Sequence, residues 1–459
     1  MINRGESPER RKRRWTPWRV FFLALGILVV LAISLVSFAA IRYNVLAGRR
    51  IEAQLAAIRE AGEPITPAEL EEHYRLPPGV EDTTALWMEA TALLETPEFE
   101  ADAADLPIVD ASELEIPPPG EPWEDLEAVE GLLRKYHASL ELMHQAAEAG
   151  GAARYPTDFR QGMPMPPDHL GPLLQGAWLL SLEAHVRPHR GDPAGSARSI
   201  RAILMLARSR EREPLIVSMG VRMACETIAL RHLEELLGTV DFSDEDLVAL
   251  QEDLRATDYR ENLYQAMLGE RVTVVATIED PALVDIDSPG ALYRVTQRDG
   301  VAFALEHMAE LVAASRRPWP QAIDDAKQAN QRLIQIVCAS TLNWICYDTY
   351  SLFLPDAESV FLNAARMRAC NDAADTGIAI ERYRRKHGKL PEKLDELVPE
   401  FLPQVPIDPF DGQPLRYGVD EQGCRIYSIG ENDTDDGGEG DLAGDPDVVF
   451  RVGAPARVP

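Results

Sequence analysis

Eight carboxylates lie between residues 431 and 447 (Glu431, Asp433, Asp435, Asp436, Glu439, Asp441, Asp445 and Asp447), with no Lys or Arg among them. The chemistry open to such a set is the binding of a hard cation, which takes about six to eight oxygens from carboxylates, amides and backbone carbonyls. With no counter-ion the same groups repel one another, and the segment reads as a solvated acidic loop. An EF-hand is excluded: with Gly437 at the sixth position, the twelfth is Ala443 rather than Glu.

A second set of chemistry-bearing residues is "EAHVRPHRGD". His185 and His189 stand at i and i+4, the spacing of two metal ligands on one helix face, but Pro188 falls between them and is expected to break that helix. Both therefore read as structural histidines at a helix end. The Met/Pro-rich stretch 162–169 offers thioether sulfurs that suit copper, and it reads equally as core-filling Met. There is no HExxH, no GxSxG and no phosphate-binding glycine loop. No catalytic constellation stands out, so an enzyme is not expected. The alternative is a cell-envelope hydrolase with its site around His185 and Glu183.

The elements that must position these groups are mostly helical. Residues 124–149 carry apolar side chains at helical spacing and end at Gly150-Gly151. Helices are further predicted from Leu170, after Pro193 with Asp192 as N-cap, and after Pro214. Another is predicted after the capping box Ser243–Asp246, then over 259–278, 299–314 and 322–350. The turn at Gly191–Ala197 resembles a tetratricopeptide turn, with no second copy at a period of about 34 residues. Antiparallel helices with short turns imply a bundle or a short solenoid. Residues 62–123 are rich in Pro and Glu, with one helical patch at 84–94, and "PPPGEPW" closes them.

The chain has 459 residues, 46 Lys+Arg against 75 Asp+Glu, and a formal net charge of -29, which argues against a nucleic-acid partner. The charge is uneven. Residues 1–19 hold seven basic groups (Arg4, Arg10, Arg11, Lys12, Arg13, Arg14, Arg19) against Glu6 and Glu9. Residues 20–41 then carry no charge, and at about 1.5 Å per residue they span a hydrocarbon layer of about 30 Å. Trp15, Trp18 and Tyr43 flank the run as interfacial anchors, and the far side has only Arg42, Arg49 and Arg50. The expectation is a single-pass helix that contacts lipid through residues 20–41. It sits in a bacterial inner membrane, with the N-terminus in the cytoplasm and the bulk outside it. The apolar run is longer than a signal peptide core of about 7–15 residues. Five Cys (225, 338, 346, 370 and 424) are too scattered for a disulfide framework. They read as buried apolar residues, or as one Cys370–Cys424 bridge.

From residue 361 the pattern changes. An amphipathic helix over 361–386 ends at His387-Gly388, and a short helix over 392–398 and a Pro-stiffened loop follow. Two alternating strands then turn at 420–423. Tyr383, Gly388 and Pro391 stand in a "Y-x-x-x-x-G-x-x-P" spacing. Pro406-Ile407-Asp408-Pro409-Phe410 leads to Gly412, Pro414 and Tyr417, and Tyr427-Ser428-Ile429-Gly430-Glu431-Asn432-Asp433 follows. This run, residues 361–450, resembles the C-terminal domain of the type II secretion major pseudopilin. The resemblance implies an α+β module whose acidic loop holds Ca²⁺. Carried over by position, its ligands would be Ile429 (through its carbonyl), Asn432, Asp433, Asp445 and Asp447, with Asp435 and Asp441 as substitutes. Asn432 stands where the family has Asp, and Asp411 is an extra residue. Residues 19–41 lack the family's early helix Glu and leader pattern, and residues 42–360 separate membrane helix from module, so assembly into a pseudopilus is not expected.

The expected architecture is mainly α: a cytoplasmic basic tail (1–19), a transmembrane helix (20–41), a stalk and Pro-rich region (42–123), a helical domain (124–355) and a pseudopilin-like α+β domain (356–459). The expected role is binding or scaffolding in the cell envelope, with envelope or secretion proteins as partners.

Overall fold

Fifteen helices and one small sheet make up the described part of the chain. The computed structural model describes residues 17–103, 106, 116–162, 170–284, 290–421, 423–444 and 446–453. The basic residues 1–16 lie outside that set. Helix α1 (Pro17–Ala61) is continuous for 45 residues. Along its first half large apolar side chains are exposed on every side, among them Phe21, Phe22, Ile27, Leu28, Val29, Val30, Leu31, Phe38 and Ile41. Among the described residues no helix is long and apolar enough to cross a membrane. Within the apolar half of α1 the longest stretch with every side chain described, 21–35, falls short of the roughly 20 residues a span requires.

The second half of α1 packs against the protein. Ala47 and Ile58 are buried there, and Ile51 and Leu55 pack partly buried beside the core, so one face of residues 42–61 joins the body of the protein. The Pro- and Glu-rich segment that follows forms α2 (Pro67–His73), α3 (Thr84–Ala92) and α4 (Pro97–Ala103), where the sequence predicts only the second. A Thr66–Glu69 capping box opens α2 and satisfies donors that so short a helix leaves free. The helix predicted over 124–149 is two, α5 (Leu126–Lys135) and α6 (His137–Ala149), parted at Tyr136, whose hydroxyl reaches back to Asp102. Next come α7 (Leu170–His189), α8 (Pro193–Arg208), α9 (Ile216–Leu237), α10 (Asp244–Arg255), α11 (Tyr259–Glu279) and α12 (Ala291–Ser315). The predicted caps at Asp192 and Ser243 form, accepting from Gly195 and Asp246 N–H groups. The single helix predicted over 322–350 divides into α13 (Gln321–Cys338) and α14 (Thr341–Ser351), because Ser340 caps a new start.

α15 (Ala357–His387) is the spine of the molecule. Phe361 and Ala364 at its start join a core built from α1, α11, α12 and α13. Cys370, Ile378 and Ile380 further along join the core of α7, α8 and α9. It ends at Gly388, whose φ of 72° favours a residue with no Cβ. The sheet, β1 (Arg416–Asp420), β2 (Gly423–Ser428), β3 (Gly440–Asp441) and β4 (Asp447–Gly453), has the order β1-β2-β4-β3. β1, β2 and β4 are antiparallel, with Ile426 opposite Phe450, and β3 runs parallel to β4. α15 crosses the sheet so closely that a Cβ on Gly377 would stand 2.5 Å from Phe450 Cε1. Ile426, Val448 and Phe450 belong to the same apolar cluster as Leu180, Ile203 and Leu230. The boundary expected at 355/356 therefore falls within a continuous core. All five cysteines are free, three of them buried.

Candidate functional site

The acidic loop joins β2 to β4. Asp447 is fully buried, and its carboxylate accepts from Gly438 N–H at 2.8 Å and Asp436 N–H at 3.5 Å. Burial raises its pKa, the two N–H groups oppose that, and Asp436 and Asp435 add to it. Asn432 donates to Asp436 at 2.8 Å. Asp433 is exposed, in a left-handed conformation (φ 56°), with Lys327 4.0 Å away. The Ile429 N–H is held by Asp408. Asp435 accepts from Gly437 N–H and Asp441 from Ala443 N–H. Asp445 lies outside the described residues, as do 163–169 of the Met/Pro stretch. Among the described residues the loop's acidic side chains do not gather three ligand oxygens at one point. Part of its charge is met by cations from elsewhere: Arg366 pairs with Glu431, and Arg416 stands 3.9 Å from Asp435. The sequence reading considered only the loop itself and missed these.

The residues that carry the resemblance do meet in space. Asp408 is fully buried and accepts four hydrogen bonds, from Phe410 N–H, Ser428 Oγ, Ile429 N–H and Arg416. Burial raises its pKa against those donors. Tyr417 donates to the carbonyl of Pro391, and Tyr383 to Glu396. These contacts tie the proline-rich loop to β2 and to the end of α15.

Another constellation forms between α7 and α9. Pro188 does not break α7. Its missing N–H would strand the carbonyl of Ala184 four residues earlier, but Ser196 Oγ of α8 donates to that oxygen at 2.6 Å. The helix runs on to His189, and His185 points at α9. There Nε2 lies 2.8 Å from Nδ1 of His232 and 3.3 Å from Oε2 of Glu235, with 3.1 Å between the latter two. His232 and Glu235 are three residues apart, so they share one face of α9. Both histidines are buried, while the Glu235 side chain is 48% exposed. Burial pushes the His185 pKa down to about 4, against the pull of Glu235, so the ring is neutral at physiological pH. Burial raises the Glu235 pKa, but hydrogen bonds to His185 and His232 outweigh it and the carboxylate stays ionised. A cavity of about 250 Å³, walled by Pro117–Pro119, opens onto His185 and Glu235. His189 lines the same cavity, its Nε2 3.0 Å from the Pro117 carbonyl oxygen. Sequence reading took His185 and His189 as structural histidines and did not single out His232 or Glu235. The signal available was His232 and Glu235 at i and i+3.

Glu183 does not join His185. It faces His144 at 2.7 Å, Ser199 at 2.8 Å and Arg187 at 2.5 Å. Burial pushes its pKa up, but His144 and Arg187 prevail and bring it down to about 2. The pair expected at the alternative active site thus belongs to two separate networks. Comparison with protein-family models, with curated proteins and with solved structures found no match.

Proposed function

We propose that the chain is a membrane-anchored envelope protein whose helical body and C-terminal module face away from the cytoplasm as a binding or scaffold unit. The observation that carries this reading is α1. In its first half the described apolar side chains are exposed on every face, whereas its second half, from Tyr43 onward, is clamped to α12. A helix apolar all round needs an apolar surrounding, and lipid supplies one to residues 20–41. Val295 and Leu352 are further exposed apolar groups on elements beside Tyr43. Protease added to intact spheroplasts is expected to digest most of the chain. Protection of the bulk would overturn the topology.

The C-terminal module is read as pseudopilin-like and calcium-stabilised, with envelope or secretion-system proteins as its partners. The density of carboxylates over residues 431–447, with no Lys or Arg among them, supports the calcium reading, with Asp447, Asn432, Asp433, Asp445 and the Ile429 carbonyl as the ligands. Because this module shares its core with the helices, the whole chain is the object to melt. Free Ca²⁺ a hundredfold above its Kd adds about 2.7 kcal/mol of stability, seen as a higher Tm that chelation abolishes. Identical melts with and without chelator would dismiss the ion. The second reading, an envelope hydrolase, draws support from the convergence of His185, His232 and Glu235 beside a cavity.

A further inference from the structure

The geometry points to a mononuclear site for a divalent transition metal, which we assign as Zn²⁺, held by Nε2 of His185, Nδ1 of His232 and Oε2 of Glu235. This site is independent of the acidic loop and of the membrane placement. Distance, donor chemistry and placement support it.

The first is distance. A zinc ion about 2.0–2.1 Å from each donor sets neighbouring donors about 2.9 Å apart at adjacent octahedral positions and about 3.3 Å apart in a tetrahedron. The three edges here are 2.8, 3.1 and 3.3 Å. An ion above that triangle reaches all three atoms once the His185–His232 hydrogen bond gives way and both imidazole lone pairs turn toward it.

The second is donor chemistry. Two imidazoles and one carboxylate suit Zn²⁺ and its first-row neighbours, and they do not suit Ca²⁺ or Mg²⁺, which take oxygen. Among the described residues this is where three such side chains converge.

The third is placement. The histidines come from two helices that the core holds rigidly: Leu182 and Ala184 on α7, and Leu233 and Leu236 on α9, are all buried. The ligand frame therefore exists before any ion arrives. Among the described residues the fourth side is open. Glu235 is half exposed, and the cavity beneath Pro117–Pro119 reaches both it and His185. Three protein ligands and an open face are the arrangement of zinc sites that keep a bound water, whereas closed structural sites use four protein ligands.

The test uses the full chain in detergent, stripped with a chelator that is then removed. Zn²⁺ is titrated against a chromophoric competitor, and Co²⁺ is loaded separately to read its ligand-field absorption. One equivalent of Zn²⁺ is expected, undisturbed by excess Ca²⁺. Glu235→Gln keeps the shape of a half-exposed side chain and removes the anionic ligand, so it should fold and weaken binding by at least tenfold. His232→Gln should weaken it by a hundredfold or more and abolish the cobalt spectrum. If His232→Gln does not fold, Glu235→Gln decides alone. Failure of the stripped wild type to take up Zn²⁺, or equal affinity in wild type and Glu235→Gln, would overturn the assignment.

Discussion

Replacing Asp408 with Ala is expected to destabilise the folded chain by about 3–5 kcal/mol, measured as a drop in the denaturant midpoint at unchanged slope. The carboxylate is fully buried and each oxygen serves two donors: Phe410 N–H and Ser428 Oγ on one, Ile429 N–H and Arg416 on the other. Alanine leaves two buried N–H groups and a hydroxyl without an acceptor, each costing about 1–3 kcal/mol, and frees half of the Arg416 fork. Arg416 keeps Asp411, which limits the damage at the cation. Asparagine is no remedy. Whichever way its amide is turned, the NH₂ group meets two donors, so Asp408→Asn should also destabilise, by about 2 kcal/mol or more. Because the module's core is continuous with that of α7, α8 and α9, the loss should appear in the main unfolding transition. A neutral Asp408→Asn variant would show that the four donors find acceptors elsewhere and that the hub is not what holds the loop.

The second large effect is expected at Arg50. Its guanidinium reaches Glu306 with two N–H groups, at 2.8 and 2.6 Å, and Asp299 with a third at 2.6 Å. Asp299 is 3% exposed and also accepts from Tyr43 and Tyr347. Removing Arg50 leaves a buried carboxylate with two phenols and, among the described residues, no paired cation. A fully buried pair broken in this way costs about 3–5 kcal/mol, but the Arg50 side chain is 35% exposed, so about 2–3 kcal/mol is expected for Arg50→Ala. Lysine provides the charge without the planar fork and should recover about half. The variant should also open residues 43–61 to protease, since this clamp joins α1 to α12. Adding Asp299→Asn to Arg50→Ala should restore part of the loss by removing the stranded charge. If Arg50→Ala costs under about 1 kcal/mol and the 43–61 segment stays protected, apolar packing of α1 alone sets its position.

Much of the secondary structure was legible because its signals are local. Asp192 with Pro193, Ser243 with Asp246, and Gly388 mark helix ends by satisfying or terminating backbone groups within a few residues. The strands β1 and β2 showed in their alternation for the same reason. Breaks inside long helical patterns were not legible. Tyr136 and Ser340 interrupt runs whose apolar spacing continues on both sides, so periodicity carried the predicted helix through them. Pro188 failed in the opposite sense: the rule that proline ends a helix assumes the freed carbonyl has no other donor, and Ser196 from the next helix provides one.

What the sequence by itself determined is the inventory: an uncharged 22-residue-class run at 20–41 after a basic end, a helical majority, a short terminal sheet and an acidic loop between its strands. What only the tertiary structure decided is which of these groups meet. His185 finds His232 47 residues away, and Arg50 finds Asp299 at a separation of 249. Helical periodicity reports which side chains share a face of their own helix. Which two faces come together, and which buried charge is thereby neutralised, depends on how the whole set of apolar stripes packs, and no local spacing encodes that.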